Sequence, residues 1–272
     1  MRKFLKGFKR LILFCIALPL AFYLMIRLTD NENVVVDAEE AVATATPAPE
    51  EEFVMPTAEV IWTYPEGYVD YSDLPEVDLS SWEFTLVNDM GSENLLREGF
   101  VPNLVTVEGF QVREGVDKPL QELLTAARSA GFNISISRAY MSYYEVAYKY
   151  NGVWSGVMDG RGVTQAEAIE ITKTEHRAHA PGTDEHQLGQ AVNFIDAEGN
   201  SEASSPAMQW LADHSWEYGF TLRYPLGKDK QTGWTYTANQ FRYVGSIAAE
   251  YIYRKDICFE EFLNAYKKDD EF

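Results

Sequence analysis

Cysteine and histidine are scarce in this chain, with two of the first and four of the second in 272 residues. Cys15 lies in an apolar run near the start and Cys258 lies close to the end, so a disulfide framework is excluded. Acid is missing from the first 28 residues, which carry Arg2, Lys3, Lys6, Lys9, Arg10 and Arg27. The remainder holds 17 basic against 42 acidic side chains, or −25 net, and such a surface repels nucleic acid and anionic lipid. No internal repeat is present. What is there in quantity is apolar and aromatic content of the globular kind, enough for one sizeable domain with appendages.

Residues 11–26 (LILFCIALPLAFYLMI) form an uncharged apolar run behind the basic cluster. Such a run suits a signal peptide or an uncleaved signal anchor. No convincing small-x-small cleavage site follows it, and Leu28 with flanking snorkelling residues lengthens a run that is short for a span of about 20 residues. We expect a single-pass anchor in the cell membrane, with residues 1–28 as cytoplasmic basic segment and anchor and the rest extracytoplasmic. Residues 29–58, rich in Ala, Thr, Pro and Glu, read as a disordered acidic linker. A folded domain is expected over residues 59–267, with residues 268–272 as an acidic tail.

Within the domain the pattern is mixed. Residues 84–88 (FTLVN), 133–137 (NISIS), 190–195 and 240–244 read as strands. Residues 118–130 place Leu120, Leu123, Leu124 and Ala127 at helical spacing, with Gly131 as a stop. Further helices are expected over 166–174, 206–218, 247–253 and 259–266. Helices interleaved with antiparallel strands make an α+β domain.

The segment PGTDEHQLGQAVNF, residues 181–194, is the most informative stretch. With LVN and VPNLV, SRAYMSYYE, WLADHSWEYGFTLRYP, TGWTYTANQFRYVG and IAAEYIYRKDICFEEFL, in that order, residues 84–263 resemble the VanY-type D-alanyl-D-alanine carboxypeptidases, zinc peptidases of peptidoglycan metabolism. The resemblance implies a small antiparallel sheet flanked by helices. It also implies a Ser-x-His-x-x-Gly-x-Ala-x-Asp motif for two zinc ligands and a later Glu-x-x-His for the catalytic carboxylate and third ligand. Carried onto this chain, the ligands fall at His186, Asn193 and Gln240 and the base at Thr237.

Only His186 of these four retains its chemistry. Asn193 and Gln240 offer neutral amides where an anionic carboxylate and an imidazole are wanted, and Thr237 has no titratable group near neutral pH. Two of three ligands and the base are therefore replaced, no cofactor is expected although the family uses zinc, and the domain reads as a degenerate member, a pseudoenzyme. The family's Tyr-Arg-Ser turn is Tyr140, Met141 and Ser142 here; Arg138 lies three positions earlier, on a strand that does not obviously bring it to the cleft. The motif serine is Asp184, which adds negative charge where an anionic peptide end would approach. Tyr236, beside Trp234, and Tyr143 and Tyr144, beside Tyr140, could line a groove or belong to the core, and Arg242 belongs to the retained frame around the site, with Gly182, Gly189, Ala191 and Gly245; the substrate-binding candidates are Tyr140, Met141, Ser142, Asp184, Tyr236 and Arg242.

Other readings stay open. His176 and His179 could rebuild a metal site with His186, which would preserve an active metallocarboxypeptidase for D-Ala-D-Ala peptides; read more simply, TEHRAHAPG is a solvated loop. His214 reads as a surface residue, and Asp196 should face away from residue 193. The expected partners are peptidoglycan stem peptide or an envelope protein, and the membrane through the N-terminal helix, with no nucleic acid. In a third reading the tether merely presents the domain to another envelope protein.

Overall fold

The computed structural model describes residues 68–267, which belong to a compact unit spanning Thr63–Phe272. The apolar run of residues 11–26, the linker and the acidic tail lie outside the described residues. Two sheets carry the fold. Strands β1 (Leu104–Val107) and β2 (Phe110–Arg113) form an antiparallel hairpin. Its turn is Glu108 and Gly109, both at positive φ, as a two-residue hairpin connection requires. The second sheet contains β3 (Ser135–Arg138), β4 (Ala191–Ile195), β5 (Phe220–Tyr224) and β6 (Thr237–Tyr243), antiparallel throughout in the order β3-β4-β6-β5.

Helix α1 (Asp117–Ser129) buries Leu120, Leu123, Leu124 and Ala127, the face expected from spacing. These side chains pack in one cluster with Val112 of β2, Ile136 of β3, Val192 and Phe194 of β4 and Phe241 of β6. Each buried leucine stabilises the domain by about 1.5–3 kcal/mol. Helix α2 (Tyr143–Arg161) is nineteen residues long and, among the described elements, packs chiefly against helix α3 (Gln165–Thr174). Both begin with a capping box, Ser142 with Glu145 and Thr164 with Glu167, and α2 stops at Gly162 in the left-handed region.

The helix expected over 206–218 is divided into α4 (Pro206–His214) and a 3₁₀ turn, Ser215–Tyr218, closed by Gly219. A single turn, α5 (Asp229–Thr232), precedes β6. Helices α6 (Ser246–Lys255) and α7 (Phe259–Lys267) build a second apolar cluster from Ala248, Ile252, Phe259 and Phe262, against which Phe84 and Leu86 pack.

The strand expected over 84–88 does not form. Trp82–Phe84 is a 3₁₀ turn, and the carbonyls of Glu83 and Thr85 accept from Arg242 Nη2 at 3.0 and 2.7 Å. A guanidinium thus satisfies backbone acceptors that a ladder would otherwise take, which the alternation of FTLVN could not reveal. The remaining expected strands and helices are present with shifted ends. The α+β architecture, with a small antiparallel sheet flanked by helices, is what the structure shows.

Candidate functional site

The site is assembled from one row across three strands. Asn193 of β4 pairs in register with Gln240 of β6 on one side and with Arg138 of β3 on the other. Val192 and Phe194 point into the core, so Asn193 faces the opposite side of the sheet. Arg138 joins it because β3 has a bulge: Ile136 pairs with Phe194, and the next partner, Asn193, meets Arg138 instead of Ser137. The extra residue re-aims the strand and turns Arg138 to the cleft, a placement that strict alternation counts against. A second irregularity, between Leu222 and Tyr224 of β5 as they pair with β6, lets Thr237 and Gln240 line the same cleft.

The cleft measures about 130 Å³. Arg138, Lys149, Asp184, Asn193, Thr237 and Gln240 contribute to its polar lining, and Trp234 and His179 form an aromatic wall. Their rings stack with centroids 3.6 Å apart, and His176 stacks on Trp234 at 5.0 Å. The TEHRAHA segment is therefore docked here through His176 and His179, which corrects its reading as a solvated loop. Burial pushes the His179 imidazole down to about 4, with Asp184 opposing and His186 reinforcing the shift, so it is neutral at pH 7.

His186 sits beneath the cleft, fully buried in a 3₁₀ turn, Glu185–Leu188, that Asp184 caps and Gly189 ends. Nδ1 lies 2.6 Å from Asp184 Oδ1, and Nε2 lies 2.6 Å from Asn193 Oδ1. Desolvation would raise Asp184, yet the His186 ring and backbone N–H hold its carboxyl well below the usual range. Both ring nitrogens are thus spent on hydrogen bonds. Asn193 Nδ2 donates to Asn239 Oδ1 at 3.3 Å, Thr237 Oγ1 donates to the Thr235 carbonyl at 3.1 Å, and Gln240 Nε2 is buried with no partner.

This donor set does not fit zinc. Two ligands on one tetrahedral zinc, each at about 2.0–2.1 Å, stand about 3.3 Å apart, whereas His186 Nε2 and Asn193 Oδ1 have closed to hydrogen-bond contact at 2.6 Å. The positions beside His186 carry neutral amides, and Arg138 and Lys149 place positive charge in the same cleft. A metal on His176, His179 and His186 fits no better: Thr235 N–H donates to His176 Nδ1 at 3.1 Å, and both outer rings are stacked on Trp234. Among the described residues no group of three His, Cys, Asp or Glu side chains is arranged to hold a metal.

Other residues expected at the site have the following contacts. Ser142 caps α2, accepting from Glu145 N–H at 3.2 Å, and the Tyr140 and Met141 N–H groups donate to the carbonyls of Gln111 and His186. Tyr236 lines a different cavity, of about 420 Å³, beside Trp216, Leu222 and Tyr253. Arg242, expected near substrate, is fully buried and pairs with Glu185. Asp196 accepts from Ser205 Oγ and Asn200 N–H beyond the end of β4, and His214 is half-buried against Trp210 and Glu217.

Sequence reasoning missed a buried network. Glu185 accepts from Arg223 Nε at 2.7 Å and from Arg242 Nη1, and Glu260 accepts from Arg223 Nη1 and Nη2 at 3.0 and 2.6 Å. Burial alone would lower Arg223, but these two carboxylates raise it well above its ordinary value. The available signal was a charge inside each apolar block, FTLRY, QFRYV and CFEEF. A charged side chain in a buried pattern asks for a partner.

The family model for VanY, D-alanyl-D-alanine carboxypeptidase, matches residues 109–246. A D-alanyl-D-alanine carboxypeptidase of Enterococcus faecalis is 32% identical over 202 residues, covering 70% of this chain and 69% of that protein. The putative carboxypeptidase YodJ of Bacillus subtilis is 27% identical over 58% of this chain and 55% of its own length. Among solved structures, VanYB in complex with D-alanine-D-alanine superposes with a TM-score of 0.60 at 30% identity, covering 68% of this chain and 98% of that one. A mutant of the D,D-pentapeptidase VanY from a VanB-type vancomycin-resistance cassette, in complex with Zn(II), gives 0.59 at 29% identity over 67% and 99%. Fold, motif order and these matches agree: the chain belongs to the VanY family of D-alanyl-D-alanine carboxypeptidases.

Proposed function

We infer that this is a catalytically inactive VanY domain of cell-wall metabolism that binds the D-Ala-D-Ala end of stem peptide, or an envelope partner, without cleaving it. The observation that carries the reading is the row of Asn193 and Gln240 beside His186, with Thr237 at the base position. None of the three replacements supplies an anionic ligand or a proton acceptor near neutral pH, so an attacking water would be neither ionised nor deprotonated. The hydrogen bond that joins His186 Nε2 to Asn193 supports it further, since that ring nitrogen is already engaged. A basic, apolar N-terminus supports an extracytoplasmic, membrane-anchored placement, where peptidoglycan would be met.

The test compares the full chain with an Asn193→Asp, Gln240→His, Thr237→Glu form. Zinc content and hydrolysis of a D-Ala-D-Ala peptide are measured on both. The parent is expected to lack both properties and the restored form to gain zinc. Stoichiometric zinc and turnover in the parent would overturn the reading and make His179 the next residue to substitute.

A further inference from the structure

The cleft at the family's metal positions carries two cations, Arg138 and Lys149, that the Asp184 carboxylate offsets only in part. Arg138 reaches it from the β3 bulge and Lys149 from α2, and neither side chain makes a hydrogen bond or a salt bridge among the described residues. The other charged groups at the cleft are engaged. Arg177 Nε donates to Glu175 Oε2 at 2.7 Å, and Asp184 Oδ1 accepts from the ring and the backbone N–H of His186 at 2.6 and 3.0 Å.

Two features make this arrangement a poor resting surface. Lys149 is half-buried, and burial first, then the Arg138 guanidinium, lowers its pKa, with Asp184 only partly opposing. Like charges held together in a desolvated place repel more strongly than they would in water. The second feature is Gln240, which lines the same cleft and whose buried Nε2 has no acceptor. Three donor-bearing side chains without an acceptor therefore line a cleft of about 130 Å³, and an acceptor with negative charge is the group that would complement them. The aromatic wall of His179 and Trp234 excludes water from one side.

We propose that this cleft is an oxyanion site, in which a carboxylate or phosphate group is held by Arg138 and Lys149 with Gln240 Nε2 as the third donor. The guanidinium takes two oxygens through its fork, and the ammonium supplies a point charge. The cleft thus inverts the sign of the ligand that the family motif would place there. The oxyanion has two sources, the terminal carboxylate of a peptide and a free inorganic anion. Only the first rests on the reading that the cleft binds stem peptide.

Calorimetric titration of the full chain with inorganic phosphate, with acetyl-Lys-D-Ala-D-Ala and with the C-terminal amide of that peptide separates the cases. The same titrations are run on Arg138→Met and Lys149→Met, both at partly exposed positions, with thermal melts to verify folding. Phosphate and the free acid are expected to compete, the amide to bind on the order of tenfold more weakly, and each substitution to cost a similar factor. Equal binding of acid and amide, unchanged in both variants, overturns the oxyanion site and leaves peptide binding standing. Phosphate binding that is lost in the variants, with no binding of either peptide, keeps the site and overturns the peptide reading. Binding of none of the three overturns both.

Discussion

Glu185 and His186 are neighbours in one turn, and they serve two regions with opposite electrostatic character. Glu185 enters a buried quartet with Arg223, Arg242 and Glu260, in which each charged group has an opposite partner and the charges cancel. His186 lies under a cleft whose Arg138 and Lys149 have no such partner and whose Gln240 leaves a donor unmatched. The quartet ties β5, β6, α7 and the 3₁₀ turn together, and Arg242 extends it to the carbonyls of Glu83 and Thr85. The cleft ties little together. The difference teaches that the scaffold and the cleft are held by separate groups: the charges that fix the turn in place are not the ones that line the cleft.

The strongest way to break that comparison is Glu185→Gln. It leaves two buried guanidiniums with too little negative charge, and removing one partner of a buried network costs about 3–5 kcal/mol. For a domain of this size the melting temperature should fall by roughly 10 °C or more, read by thermal denaturation. A loss near zero would mean the quartet is not structural. Next in size is Gly189→Ala. Gly189 has φ +69°, and a Cβ there would stand 2.8 Å from the backbone nitrogen of Arg113, which already donates to the Gly189 carbonyl. Strain and a lost close approach should cost about 1–3 kcal/mol in a denaturant titration. The damage spreads to both regions, because this glycine ends the turn that carries Glu185 and His186 together.

On the cleft side the sign is expected to reverse. Gln240→Met removes a buried donor that lacks a partner and keeps the volume, so stability should stay level or rise by up to about 1 kcal/mol. A loss comparable with that of Glu185→Gln would show that Gln240 has a structural partner and that the two regions do not differ in kind.

The two regions also differ in how far they could be read from the sequence. The histidine segment was legible as a motif, and Asn193, Thr237 and Gln240 line the cleft at the spacing it implies. The alternation of residues 133–137, which become β3, and the leucine spacing of α1 were legible as periodicity. Arg138 was not, because a bulge shifts its face and local alternation carries no record of one. Lys149 was hidden by α2, whose Gly152, Gly156 and Gly160 and scattered aromatics blur the helical period. Tyr236 and Arg242 sit in blocks that match the family, yet a matching block does not say which way a side chain turns. The quartet depended on pairings across 37 to 57 residues, beyond the reach of any local pattern.

The smallest expected effect is the most discriminating. Lys149→Met relieves repulsion from Arg138 at a half-buried position and should change stability by no more than a few tenths of a kcal/mol, in the stabilising direction. Cys258 offers a reading finer than a melting curve. Its thiol is buried beside the quartet, and burial, then Glu260, pushes it up to about 12, so it stays protonated and unreactive at neutral pH unless the structure opens. In a Cys15→Ser background, labelling of Cys258 by a thiol reagent should run at the parent rate in Lys149→Met. In Glu185→Gln it should run on the order of 100-fold faster, because a loss of about 3 kcal/mol raises the open fraction by that factor. If Lys149→Met accelerated labelling as much, the cleft and the quartet would open as one cooperative unit, and the electrostatic division between Glu185 and His186 would have no energetic counterpart.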